Sequence, residues 1–169
     1  MQKALEAGKV RAIGLSNFVD ARFLDLVENM EVKPAVLQLE THVFSQQKRM
    51  RELMAPYGTR LMAWAPLAEG KNGIFTHPTL TAIGAKYGKT AAQTALRFLM
   101  AEDVIAIPKS VHRERLVENF SIDDFELSAE DLDAIRALDG GKPMFADFND
   151  PTLAKFLLEY DAKFNPERQ

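Results

Sequence analysis

The chain has 169 residues, of which 47% are hydrophobic and 27% charged, a balance that allows one ordinary domain with a real core and argues against disordered, collagen-like and coiled-coil classes. Lys plus Arg is 21 against 24 for Asp plus Glu, a formal charge of -3, so nothing points to a nucleic-acid or anionic-membrane binder. The absence of cysteine excludes disulfides, thiolate metal sites and a cysteine nucleophile and fits a cytoplasmic setting, while no apolar run approaches the roughly 20 residues of a membrane span and Gln2, Lys3 and Glu6 break any signal-peptide core.

Short branched-apolar runs alternate with amphipathic helical stretches, the pattern of repeated strand-helix units about a parallel sheet. A first strand is expected over residues 10–15, followed by a helix whose face is Phe23, Leu26, Val27 and Met30, spaced i, i+3, i+4, i+7. Pro34 marks a break. A second strand over 36–39 precedes a helix over 45–55 with Met50, Leu53 and Met54 inward, ended by Tyr57 and Gly58. The third strand covers 61–65, and Gly70, Asn72 and Gly73 mark a longer loop. Two helices follow, one starting near Pro78 and one at Thr90, which with Gln93 makes a capping box ahead of Ala92, Ala95, Leu96 and Leu99. A fourth strand over 104–107 leads to a helix over 113–119 and then to one capped at Ser128 with Leu132, Ile135 and Leu138 inward. From Gly140 the chain reads as a tail with a short helix over 151–160. No repeat, low-complexity segment or linker divides it, so a single domain over residues 1–169 is expected.

No G-x-G-x-x-G or G-x-x-x-x-G-K-[ST] is present, which leaves a Rossmann or P-loop reading without support. His42, His77 and His112 are far apart, with no His or carboxylate at metal-ligand spacing, so no metal is expected. The densest chemistry is AIPKSVHRERLVENF (residues 106–120), where Lys109, Ser110, His112, Arg113 and Arg115 cluster between a strand end and a helix start. Cations, a hydroxyl and free helical N–H groups there suit a bound phosphate. The same segment equally fits a solvated helix start with its charges in water. Ser16 and Asn17, Gln38 with Glu40 and His42, and Trp64 stand at the carboxyl ends of the first three strands, where parallel sheets place their ligands. Each alone reads as a cap, a backbone partner or a core aromatic; together they direct amide, aromatic and cationic groups to one face, which suits a nicotinamide nucleotide.

GKVRAIGLSNF (8–18), VLQLETH (36–42), LMAWAPLAEG (61–70), GKTAAQTALRFLM (88–100) and IPKSVHRERLVENFSIDDFELSAEDLDAI (107–135) resemble the C-terminal half of an aldo-keto reductase, most closely the 2,5-diketo-gluconate reductase-like group, in that family's order and over nearly the whole chain as far as Leu138. The resemblance implies an α/β fold of the parallel (β/α)8 TIM-barrel family, with only strands five to eight and their helices here. It implies NADPH bound without a Rossmann domain. Ser16, Asn17 and Gln38 then match the residues on the nicotinamide carboxamide, and Trp64 the aromatic stacked on the nicotinamide ring. Ala65 and Leu67 match the stretch along the pyrophosphate. Lys109, Ser110, Val111 and Arg115 match the clamp on the 2′-phosphate, and Glu118 and Asn119 the adenine contacts. His112 stands where relatives often carry arginine, which opens the way to NADH, although Lys109 and Arg115 favour the phosphorylated cofactor.

The sequence departs from the family at Leu37, where asparagine is usual, and at Val43, where proline is usual. The family's catalytic aspartate, tyrosine, lysine and histidine come from earlier strand ends, and nothing here matches them: Tyr57, Tyr87 and Tyr160 match no catalytic tyrosine, and His42 is not the catalytic histidine. A barrel of this type takes about 250 residues, so the expectation is the cofactor-binding half of an NADPH-dependent carbonyl reductase, inactive alone and completed by a second chain or by self-association. A non-catalytic nucleotide-binding or self-associating half-barrel, and a truncated reading frame without function, are the alternatives.

Overall fold

The computed structural model describes residues 1–164. Helix α1 (Gln2–Glu6) leads to strand β1 (Gly14–Ser16) and helix α2 (Ala21–Asn29); β2 (Val36–Glu40) is followed by α3 (Lys48–Met54), and β3 (Arg60–Trp64) by α4 (Pro78–Lys86) and α5 (Ala91–Ala101). Strand β4 (Ile105–Ala106) precedes α6 (Arg113–Phe120), α7 (Ala129–Arg136) and α8 (Pro151–Phe164). All neighbouring strands pair in parallel, in the order β1-β2-β3-β4. This is the α/β parallel-sheet alternation expected of the sequence.

Strand lengths differ from the pattern. The first strand, expected from residue 10, begins at Gly14 because its only partner, β2, starts after Pro34, which has no N–H to donate to the ladder. Strand β4 is two residues long rather than four, since it pairs only with β3 and Pro108 follows. Helix α3 starts at Lys48 rather than residue 45, because His42 and Ser45 exchange backbone hydrogen bonds (3.1 and 2.9 Å) and Gln47 is left-handed (φ 54°). The caps behave as their chemistry dictates: Thr90 and Gln93 form the reciprocal box, and Ser128 Oγ accepts from the Asp131 N–H.

Alternation along the strands divides the sheet. Leu37, Leu39, Leu61 and Ala63 point into the core with Phe23, Val27, Met50, Met54, Ala95, Phe98 and Leu99 from the helices. The residues between them (Val36, Gln38, Met62 and Trp64) face the other way and are only half-buried. Helices therefore cover one side of the sheet, whereas a parallel sheet normally has both faces covered. Glu102, at the end of α5, ties that layer to its neighbours by accepting from Arg51 of α3 (2.6 Å) and Arg136 of α7 (2.9 Å).

The segment past Gly140 is not a free tail. The Gly140 N–H donates to the Phe44 carbonyl (2.9 Å), Arg22 donates to the Phe148 carbonyl (2.6 Å), and Asn149 donates to Asp20 (2.7 Å). The helix expected over 151–160 extends to Phe164.

Two helices meet closely at Gly84, where an added Cβ would lie 2.5 Å from the Lys89 carbonyl oxygen and 2.8 Å from Thr94 Oγ1. Neither neighbour can move freely: the Lys89 N–H donates to the Gly84 carbonyl, and the Thr94 hydroxyl to the Thr90 carbonyl, both at 2.9 Å. Gly84→Ala should therefore destabilise the fold by about 1–3 kcal/mol, seen as a lower urea midpoint at unchanged slope; an unchanged midpoint would mean that the helix pair yields at no cost.

Candidate functional site

Because the strands are parallel, their carboxyl ends share one edge, and the loops leaving them meet there. Ser16 pairs with Gln38 across β1 and β2, and the Asn17 N–H continues the ladder to the Gln38 carbonyl (2.9 Å). Asn17 then turns left-handed (φ 62°), a conformation that asparagine tolerates, and aims its side chain across the edge. Its Oδ1 accepts the indole N–H of Trp64 at 2.9 Å. An indole N–H can only donate, so this contact fixes which end of the Asn17 amide faces the tryptophan and leaves Nδ2 to donate elsewhere. Among the described residues Gln38 Nε2 has only the Met62 thioether (3.1 Å), a weak acceptor that a better one would displace.

After Trp64 the backbone is left-handed at Ala65, Ala68, Glu69 and Asn72 (φ 47 to 53°), an unusual run for residues with a Cβ. Leu67 packs its side chain against the core, so this loop presents main chain more than side chain to the edge. Beyond β4 the residues form an open basic ledge. Lys109, Val111, His112 and Arg115 are exposed, and Lys109, Arg113 and Arg115 have no ion-pair partner among the described residues. Ser110 Oγ accepts the His112 N–H (3.1 Å), shaping the entry to α6, and His112 lies 3.9 Å from Glu114. Glu118 is engaged by the Thr90 hydroxyl (2.5 Å), and Asn119 lines an apolar groove of about 540 Å³ between α5, β4 and α6. The structure thus gathers Ser16, Asn17, Gln38 and Trp64 into one bonded cluster; the Lys109–Asn119 group lies at the end of the next strand, with Glu118 and Asn119 turned towards α5.

The pattern of the sequence does not show what sits beside Trp64. Buried Glu40 accepts from the backbone N–H groups of Met144 (2.5 Å) and Phe145 (3.1 Å), and His42 Nε2 lies 3.2 Å from the same carboxylate. The Phe44 N–H donates to His42 Nδ1 (3.2 Å), which leaves the ring proton on Nε2, facing Glu40. Burial works against ionisation of Glu40, yet the His42 contact and the two amides outweigh it and hold the carboxyl below the usual carboxylate range. Phe145 packs its ring 5.7 Å from Trp64, and Lys71 Nζ stands over the Phe145 ring, 4.4 Å from its centroid. The apolar Met144-Phe145 pair following Gly140, Gly141 and Pro143 was the available signal for this contact. No group of three or more His, Asp or Glu residues is placed to hold a metal among the described residues, and none of their helices is long and apolar enough to cross a membrane.

Such a sheet, with its polar and cationic groups at the carboxyl ends, defines an α/β protein of the parallel-sheet class. The match of residues 1–140 to the Aldo/keto reductase family model places the chain more narrowly: it belongs to that family. It is 41% identical over 138 residues to a glyoxal reductase of Bacillus subtilis, covering 82% of this chain and 49% of that one. The solved structure of MGS-M4, an aldo-keto reductase from a Medee basin deep-sea metagenome, superposes with a TM-score of 0.85 at 37% identity, over 88% of this chain and 55% of the other. A Gox0644 mutant in complex with NADPH gives a TM-score of 0.82 at 33% identity, over 88% and 54%. The chain spans about half the length of the curated relatives it matches.

The Asn17 contact is testable through Trp64, the single tryptophan. Asn17→Asp keeps an acceptor for the indole, whereas Asn17→Gly keeps the left-handed backbone but removes it. The glycine variant should give faster indole N–H exchange and red-shifted emission while the aspartate variant stays near wild type; identical exchange in all three would show that the bond does not hold the ring.

Proposed function

We propose that the chain is the cofactor-holding half of an NADPH-dependent aldo-keto reductase, contributing barrel strands five to eight, with the proton-donating residues lying outside these 169 residues. One observation carries the reading: the strand-end edge brings Asn17, Gln38 and the pinned Trp64 together and continues into a basic ledge whose Lys109, Arg113 and Arg115 have no ion-pair partner among the described residues. The residues present fit the cofactor. Ser16, Asn17 and Gln38 offer a hydroxyl and amide donors for a carboxamide, and Trp64 a fixed ring face for the nicotinamide. Ala65 and Leu67 offer loop backbone for the pyrophosphate. Lys109, Ser110, Val111 and Arg115 would meet the 2′-phosphate, with Glu118 and Asn119 near the adenine. Bound there, NADPH would supply the hydride for a carbonyl carbon of an aldehyde, ketone or keto-sugar, and the proton that completes the alcohol would come from the residues outside this chain. His112 in place of arginine leaves NADH as a second cofactor, because the phosphate clamp is weaker by one guanidinium.

The half-covered sheet supports the barrel assignment, since strands β1 and β4 each pair on one side only and the non-helical face is only half-buried. Next to β4 the apolar groove exposes Leu116 (49%) and Phe120 (85%). A complementary half, or a second copy of this chain, would cover these edges. The same surface favours a second reading, a self-associated half-barrel that binds nucleotide without catalysing.

NADPH should quench Trp64 emission. Lys109→Met and Arg115→Leu should each weaken NADPH about tenfold or more while leaving NADH nearly unchanged, since each removes a charge-assisted contact to the extra phosphate. No quenching at millimolar cofactor would overturn the reading, and NADPH oxidation with aldehydes by the chain alone would overturn the placement of the proton donor. Light scattering at micromolar concentration should show a dimer or larger species; a monodisperse monomer would contradict the proposed covering of the open edges.

A further inference from the structure

We propose that Glu40 is a positioning residue that clamps the Met144–Phe145 backbone and thereby sets the Phe145 ring against Trp64, so that Trp64 is held ready for the nicotinamide. The cofactor part of this inference rests on the function proposed above. The segment from Gly140 to Asn149 crosses the strand-end edge and is tied at its two ends, at Phe44 on one side and at Arg22 and Asp20 on the other. Between those ties its backbone hydrogen bonds to the sheet come from Glu40, whose Oε1 accepts the Met144 N–H (2.5 Å) and Oε2 the Phe145 N–H (3.1 Å).

Two oxygens on two consecutive amides fix a peptide plane as well as a position, and with it the direction in which the Phe145 side chain leaves the backbone. The clamp is itself supported. Glu40 is 3% exposed and His42 fully buried, with the His42 ring bonded to Glu40 on one side and to the Phe44 N–H on the other. Gln47 Nε2 donates to the Glu40 carbonyl at 2.8 Å, holding the end of the strand. Phe145 sits edge-on to His42 (6.1 Å, 85°) and tilted against Trp64 (5.7 Å, 51°), so one ring links the buried pair to the indole. Asn72 Nδ2 donates to the Met144 sulfur (3.3 Å) and Lys71 caps the Phe145 ring, fastening the same segment to the loop after Trp64. Trp64 is therefore fixed twice, at its N–H by Asn17 and at its ring by Phe145, and Glu40 governs the second contact by bonding directly to residues 104 and 105 positions further along the chain.

Glu40→Gln keeps the shape but replaces one acceptor with a donor facing an N–H, and Phe145→Leu removes the ring while leaving the clamp. In the full chain without cofactor, Glu40→Gln should speed exchange of the Met144 and Phe145 amides at least tenfold and shift Trp64 emission. Phe145→Leu should shift the emission equally while those amides stay protected, and Glu40→Asp, with both acceptors kept, should recover part of the protection. NADPH affinity should fall about three- to tenfold in either single variant, the scale of one aromatic contact, and no further in the double variant, because both act through one ring. Additive losses in the double variant, or unchanged amide exchange in Glu40→Gln, would overturn the proposal. If the unaltered chain binds no NADPH, the cofactor reading falls, while exchange and emission still decide whether Glu40 sets Phe145.

Discussion

Parallel pairing of the strands is the constraint on which the rest of the molecule depends. Strands that run in one direction need a crossover after each of them, and here every crossover contains helix. Those helices return over one side of the sheet and bury Leu37, Leu39, Leu61 and Ala63 beneath them. The loops that open each crossover consequently emerge at the same edge. Asn17, Glu40 and Trp64 stand at that edge as the last rungs of the ladder: Glu40 pairs with Trp64, and the Asn17 N–H bonds the Gln38 carbonyl. Close contact keeps the register: a Cβ on Gly14 would come within 2.6 Å of the Val36 side chain, so the first strand can lie against the second only with glycine at that point.

Much of this was legible in the residues. The order of strands and helices follows from periodicity, and both caps follow from hydroxyls placed three residues before their acceptor or donor partners, an interaction contained within one helical turn. Strand lengths were not legible, because a strand exists only as far as its neighbour can hydrogen-bond to it. Pro34 and Pro108 cut β1 and β4 short through pairing, not through any property of residues 10–13 or of Ile107. The start of α3 failed for a similar reason: the exchange between His42 and Ser45 competes with the first helical turn, and nothing in the apolar spacing announces it.

At the site the division falls in the same place. Ser16, Asn17 and Trp64 are recognisable because they end or directly follow a strand, a local feature, whereas Gln38 lies two residues inside the end of β2. The Asn17–Trp64 bond joins residues 47 apart, and the Glu40 clamp joins residues more than a hundred apart. No window of sequence contains either contact. A stretch reading Gly-Gly-Lys-Pro-Met-Phe has the composition of a tail, and only the arrival of its two amides at a buried carboxylate makes it part of the edge.

The two halves of the edge are prepared differently, and the difference has a physical meaning. Around Trp64 the partners are already made: an indole N–H with its acceptor, a carboxylate with two amides, rings in contact. Ordering that would otherwise be lost on binding has been settled during folding, which favours a planar ligand needing a fixed stacking surface. The ledge at Lys109, Arg113 and Arg115 is the reverse, with cations exposed and unpaired among the described residues. A phosphate arriving there would exchange each cation's water for a charge-assisted contact without first breaking an ion pair. On the proposed reading, discrimination between phosphorylated and unphosphorylated cofactor therefore resides in the ledge and weakens as salt screens it. The geometry over Trp64 is set chiefly by the Asn17 bond, by ring contacts and by a buried carboxylate that salt does not reach.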